Sequence, residues 1–142
     1  MNGMDFSRKM LILGREIGLP LEMSNVNIKD FLPEACLKAE SIPAFYEELE
    51  KHEPYFSSFK NEAENSGRKL RLIGVLEDGK INIEVQIVDA NHPFFGLSGS
   101  DNIISFTTSR YKNTPLVVKG PGAGAEVTAA GVFADLVRVT AQ

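Results

Sequence analysis

The hydrophobic positions change from helical to strand spacing about halfway along the chain. In the first half, an apolar stripe at helical spacing predicts an amphipathic helix over residues 4–17. Gly18 and Pro20 are suited to end this helix. A short alternating run at residues 26–28 predicts a strand before a turn at Pro33.

Two more helices are predicted before the spacing changes. Ser41 is placed as an N-cap, and Pro43 suits the first turn of a helix over residues 42–51. The residue before a proline is biased away from the α region, so the helix is interrupted at Pro54. A second helix is expected from there to about residue 66.

The second half of the chain alternates as strands do. Residues 69–75 and 81–88 flank Asp78-Gly79, and an Asp-Gly pair between alternating runs is the strongest short-range indication of a β-hairpin. Further strands are predicted at residues 102–109 and 115–119. A closing helix over residues 126–139 completes an α+β fold, with helices packed on a mostly antiparallel sheet.

A glycine loop, residues 120–124 (Gly-Pro-Gly-Ala-Gly), precedes the closing helix. Glycines let a backbone approach a ligand, and the helix N-terminus behind them favours negative charge. Counted from Gly122, however, the third glycine of the dinucleotide fingerprint is replaced by Val127. A tight turn from strand to helix is the favoured interpretation, a phosphate cradle is the alternative, and no dinucleotide-binding domain is predicted.

Composition and charge narrow the classes of protein. A chain of 142 residues suits one domain, and a scattered net charge of −4 without a basic cluster argues against nucleic-acid binding. The apolar runs are too short for a membrane span, and no secretory signal is recognisable. A single Cys36 fits a reducing compartment, which predicts a cytoplasmic protein.

The candidate chemistry is a carboxylate and an ammonium on the first helix. Asp5 and Lys9 are four residues apart and share a helix face, while Arg8 points to the side. A surface ion pair of about 0.3–0.5 kcal/mol is the structural interpretation, and a pair facing a small polar substrate is the functional one. His52 and His92 have no metal-ligand spacing to each other or to Cys36, so no metal site is predicted.

Three segments together match one known family. The segments are residues 2–9 (NGMDFSRK), 115–124 (PLVVKGPGAG) and 127–136 (VTAAGVFADL). The first resembles the G-x-D-x-x-R-K segment of homoserine dehydrogenases. The other two resemble that family's strand, glycine loop and last helix. The resemblance spans the whole chain. The sequences of the matching segments are most similar to the bifunctional branch of the family, in which an aspartokinase precedes the dehydrogenase.

The resemblance implies an enzyme of threonine and methionine biosynthesis. Such enzymes interconvert L-aspartate 4-semialdehyde and L-homoserine with NAD or NADP as cofactor. Residues 1–142 would be the substrate-binding and dimerisation domain of a larger, dimeric chain. Because the dinucleotide-binding domain is missing, this segment alone is expected to be inactive and to bind the cofactor weakly.

The resemblance also assigns roles to particular residues. Lys9 would transfer the proton to or from the reacting oxygen, and Asp5 would bind substrate or orient Lys9. The nicotinamide end of the cofactor would lie close to the glycine loop and the residues after it, namely Gly122, Gly124, Glu126 and Thr128.

Two other hypotheses compete with the dehydrogenase. A non-catalytic amino-acid-binding or dimerisation module would use the same α+β layers. A complete dinucleotide-binding protein is disfavoured, because no βαβ unit is present. The last helix is expected to leave an apolar face exposed or covered by another copy, formed by Val132, Phe133, Leu136 and Val137.

Overall fold

The computed structural model describes residues 3–141 and divides the chain into two compact units, Met1–Asp89 and Ala90–Gln142. Asn2, which begins the first matching segment, lies outside the described residues. The first unit consists of α1 (Met4–Glu16), a 3-10 helix (Met23–Asn25), β1 (Val26–Ile28), α2 (Glu34–Leu37), α3 (Ile42–Lys51), α4 (Glu53–Asn65), β2 (Lys69–Glu77) and β3 (Lys80–Val88). The second consists of β4 (Asp101–Phe106), β5 (Leu116–Pro121) and α5 (Ala125–Thr140).

The sheet of the first unit has the strand order β1-β3-β2. The β2–β3 pair is antiparallel, whereas β1 runs parallel to β3 with Val26 opposite Ile81. Asp78 and Gly79 both have positive φ, 49° and 72°, which is the backbone that a type I′ turn requires. The predicted hairpin and the α+β fold are therefore confirmed.

The core of the first unit lies between α1 and the inner face of this sheet. Its buried centre is formed by Leu11, Leu21, Ile81 and Ile83. Gly74 of β2 allows the helix to approach closely: a Cβ atom there would lie 2.8 Å from Cε1 of Phe6 and 3.0 Å from Sδ of Met10. The apolar stripe predicted for residues 4–17 thus faces the hairpin, and its helix begins and ends within a residue of the expected positions.

Replacing Gly74 by alanine is expected to lower the free energy of unfolding by about 1–3 kcal/mol, because the added methyl group overpacks a filled contact. Urea denaturation of the 142-residue chain measures this change. Gly96→Ala is the matched control, since a Cβ atom at Gly96 would meet no atom within 4 Å. Equal midpoints for the two variants would refute the close packing of α1 on β2.

Helices α3 and α4 begin and end close to the predicted residues. Ser41 caps α3 and its Oγ accepts a hydrogen bond of 3.2 Å from the backbone N–H of Ala44. His52 separates α3 from α4, so the predicted interruption before Pro54 is confirmed. The 3-10 helix and the four-residue α2 lack a long apolar period, and the sequence did not predict them.

The second unit pairs β4 with β5 in an antiparallel ladder that places Asp101 opposite Pro121. The prediction of a strand as far as residue 109 was wrong, because β4 ends at Phe106. The chain turns there instead, and Oγ1 of Thr108 accepts a hydrogen bond from the backbone N–H of Tyr111. β5 extends to Pro121, so the first two residues of the glycine loop complete a strand.

Candidate functional site

The candidate site of the first unit is the exposed pair at the start of α1. Nζ of Lys9 lies 2.9 Å from Oδ2 of Asp5, and the two side chains are 57% and 84% exposed. Their separation of one helical turn brings them together, as the sequence predicted. The pair presents one ammonium and one carboxylate to solvent, which suits a small ligand carrying both charges.

Ser7 fixes the helical turn that carries this pair. Its side chain is fully buried, and its Oγ donates a hydrogen bond of 2.9 Å to the backbone carbonyl of Gly3. The backbone N–H of Ser7 donates to the same carbonyl. Ser7 was not predicted to matter, although Ser7, Leu11 and Gly14 recur at the spacing of a buried helix face. The buried face and the exposed pair therefore lie on different sides of α1.

The second unit has a candidate site of its own, the glycine loop. The backbone N–H of Gly122 donates a hydrogen bond of 3.0 Å to the carbonyl of Ser100, which ties the loop to the start of β4. Gly124 has φ 134° and ψ 154°, a backbone conformation essentially restricted to glycine. The N–H of Thr128 then donates to the carbonyl of Gly124, and the exposed Glu126 lies in the first turn of α5.

An ion pair holds the strand that enters this loop. Nζ of Lys119 lies 3.2 Å from Oδ2 of Asp101 and donates a hydrogen bond of 3.3 Å to the carbonyl of Gly96. Both side chains are only partly exposed, so the pair joins β5 to β4 and to the preceding segment. Neither residue was predicted from the sequence, because a contact across two strands requires their register.

The two histidines have local structural partners. Nδ1 of His52 lies 2.8 Å from the carbonyl of Glu48, and Nδ1 of His92 accepts a hydrogen bond from the backbone N–H of Phe94. Within residues 3–141, no cluster of three or more His, Cys, Asp or Glu side chains is arranged to hold a metal ion. Over the same residues, every helix is too short or too polar to cross a bilayer.

The chain thus has an α+β fold, an exposed acid–base pair on its first helix and a glycine loop before its last helix. The family model described as homoserine dehydrogenase matches residues 1–137. The chain therefore belongs to the homoserine dehydrogenase family, as the three matching segments had indicated.

Relatives named as enzymes support this assignment. A bifunctional aspartokinase/homoserine dehydrogenase from Zea mays is 44% identical over 142 residues, covering 99% of this chain and 15% of the relative. A homoserine dehydrogenase from Schizosaccharomyces pombe is 41% identical over 145 residues, covering 100% of this chain and 39% of the relative. The chain thus spans well under half the length of these relatives.

Solved structures agree with the observed fold. A Candida auris protein of unknown function matches with a TM-score of 0.83 and 37% identity, over 99% of this chain and 40% of that one. A homoserine dehydrogenase from Staphylococcus aureus has a TM-score of 0.62 at 21% identity, over 98% of this chain and 31% of that one. The latter likeness bears on the fold alone.

Proposed function

We propose that this chain is the substrate-binding and dimerisation part of a homoserine dehydrogenase, which interconverts L-aspartate 4-semialdehyde and L-homoserine with NAD or NADP. The observation that carries the proposal is the Asp5–Lys9 pair, exposed on the first turns of α1 in a member of this family. Homoserine carries an ammonium, a carboxylate and a hydroxyl group. An adjacent carboxylate and ammonium complement such a ligand.

Lys9 is proposed to manage the proton on the reacting oxygen. In the reducing direction its ammonium donates a proton to the oxygen of the aldehyde as that oxygen becomes an alkoxide. In the oxidising direction its neutral amine takes the proton from the hydroxyl group of homoserine. Asp5, 2.9 Å away, orients Lys9 and offers its second oxygen to the ammonium of the substrate.

The glycine loop is proposed to receive the nicotinamide end of the cofactor at Gly122, Gly124, Glu126 and Thr128. A Cβ atom at Gly124 would meet no atom within 4 Å, so a flat ring has room to approach the backbone of Gly124. The carboxylate of Glu126 at the start of α5 disfavours a phosphate but attracts the positively charged oxidised ring. When bound, the cofactor would supply the hydride in the reducing direction and the acceptor for it in the oxidising direction.

The test is homoserine-dependent reduction of NADP and of NAD, followed at 340 nm, by a full-length enzyme containing this segment. The 142-residue chain is assayed beside it. We expect turnover by the full-length enzyme and none by the segment. A well-folded full-length protein without turnover would favour the alternative, a non-catalytic amino-acid-binding or dimerisation module.

The natural chain is further proposed to be a cytoplasmic enzyme of threonine and methionine biosynthesis, with an aspartokinase preceding the dehydrogenase. The bifunctional relative from Zea mays supports the fusion, although that protein is named as chloroplastic. Immunoblotting of fractionated cells tests both points. A cytoplasmic band long enough to include a kinase is expected, and an organellar band would refute the localisation.

Self-association is proposed through the apolar face of α5. This face consists of four exposed apolar side chains, 49–68% exposed, which are Val132, Phe133, Leu136 and Val137. Single exposed apolar residues are normal on a protein surface, whereas a contiguous group marks an interaction surface. Light scattering of the 142-residue chain is expected to show an oligomer that Leu136→Glu shifts toward the monomer. Asp135→Ala, which removes only a surface ion pair with Arg138, is the matched control. A monomer at high concentration would contradict the proposal.

A further inference from the structure

The side chain of Asn102 lies against the glycine loop. Asn102 is opposite Gly120 in the β4–β5 register, and Gly122 is the diagonal neighbour on the same face. The amide leans toward Gly122 and fills the position that a Cβ atom there would take, with Oδ1 3.0 Å from that position and Nδ2 closer still. No atom lies within 4 Å of the corresponding position at Gly120.

This amide differs from its neighbours in having no hydrogen-bond partner among residues 3–141. The carbonyl of Ser100 accepts from Gly122, and the carboxylate of Asp101 binds Lys119. Asn102 is exposed, so its two N–H donors and its carbonyl face solvent beside the bare backbone of the loop. Three consecutive residues thus contact the loop region, and the third presents free hydrogen-bonding groups.

We propose that the carboxamide of Asn102 binds the carboxamide group of the nicotinamide ring. The inference rests on the proposed function, which puts that end of the cofactor at the loop. Two primary amides can exchange a pair of parallel N–H···O hydrogen bonds, because each carries a donor and an acceptor in one plane. Homoserine has no amide and cannot reciprocate in this way. The loop admits the ring, and Asn102 fixes which way the ring faces.

The first test is steady-state kinetics of the full-length enzyme carrying Asn102→Ala. We expect KM for the nucleotide, and its Kd measured by calorimetry without homoserine, to rise about tenfold, the effect of losing one or two hydrogen bonds, with KM for homoserine changing less than twofold. Asn113→Ala, which alters the same residue type at the far end of the β4–β5 hairpin, is the control. Asn102→Asp keeps the shape and an acceptor for the amide N–H of the ring but loses both donors, so KM for the nucleotide should rise only about threefold.

The second test removes the partner from the ligand. The 3-acetylpyridine analogue of the nucleotide keeps the carbonyl but has no amide N–H. The penalty for Asn102→Ala should therefore shrink from about tenfold to about threefold with this analogue, since one of two hydrogen bonds is already lost. An equal penalty with both nucleotides would overturn the amide pairing.

The third test is the double variant with Gly122→Ala. The methyl group at residue 122 would displace the Asn102 amide, which is the movable end of a side chain. If the amide is the functional group, the single variants raise KM for the nucleotide similarly and the double variant adds little. Multiplying effects would assign the role to Gly122 itself and overturn the proposal.

Three other outcomes separate this inference from the proposed function. Turnover by the unaltered enzyme, with Asn102→Ala indistinguishable from Asn113→Ala, would overturn the role of Asn102 alone. A rise in KM for homoserine instead of the nucleotide would do the same. No turnover by the unaltered, folded enzyme would overturn the proposed function and this inference together. Circular dichroism melts confirm that each variant is folded, and Asn102→Ser replaces Asn102→Ala if the alanine variant is not.

Discussion

Replacing Lys9 by alanine in a full-length enzyme that contains this segment is expected to lower kcat about 100- to 10,000-fold, the range for losing a group that transfers a proton. Stability should change little, because Lys9 and Asp5 are exposed and such ion pairs contribute about 0–1 kcal/mol. Homoserine-dependent reduction of NADP measures the first effect, and a thermal melt measures the second.

Two further variants isolate the cause of this loss. Lys38→Ala removes an exposed lysine that pairs with Glu34 at the same i, i+4 spacing, and it should leave kcat unchanged. Lys9→Arg keeps the positive charge but cannot release a proton near neutral pH, so it should be nearly as impaired as Lys9→Ala. Activity close to normal in Lys9→Arg would reduce Lys9 to an electrostatic role.

Gly124→Ala is the second substitution with a large expected effect. A side chain at φ 134° and ψ 154° is strained by about 1–3 kcal/mol, although the space around it is empty. We expect the loop to shift, KM for the nucleotide to rise about tenfold or more, and the midpoint of urea denaturation to fall.

Gly131→Ala provides the matched control for that substitution. Gly131 lies within α5, and a Cβ atom there would meet nothing within 4 Å. Alanine at this helical position should stabilise the chain by about 0.5–1 kcal/mol, the opposite sign to Gly124→Ala. If both substitutions stabilise, the backbone of Gly124 is not the one described above.

Periodic features of the sequence were sufficient to predict most elements of the fold. The helical stripe in residues 4–17, the Ser41 cap and the Asp78-Gly79 turn each depend on residues near one another in the chain. The same holds for Asp5 and Lys9, which lie one helical turn apart. Local rules of this kind need no knowledge of tertiary structure.

Contacts between distant segments could not be predicted in this way. The parallel pairing of β1 with β3 and the contact of Asn102 with Gly122 both require a strand register. The prediction of a strand as far as residue 109 was wrong because the side chain of Thr108 accepts a hydrogen bond from the backbone of Tyr111, which favours a turn. Roles in binding and catalysis came only from the family resemblance, since an exposed Asp–Lys pair alone resembles any surface ion pair.

The topology of the first unit also orders the events of folding. The β2–β3 hairpin closes through a two-residue turn and needs only neighbouring residues, so it can form within about 1–10 μs. The β1–β3 ladder joins residues 55 positions apart, and α1 packs on strands that lie as far from it in the chain. The helix that carries Lys9 is therefore expected to dock late, on a preformed hairpin. Its amide hydrogens should then exchange with deuterium before those of β3, so the reactive pair would be among the first features lost when the native state opens.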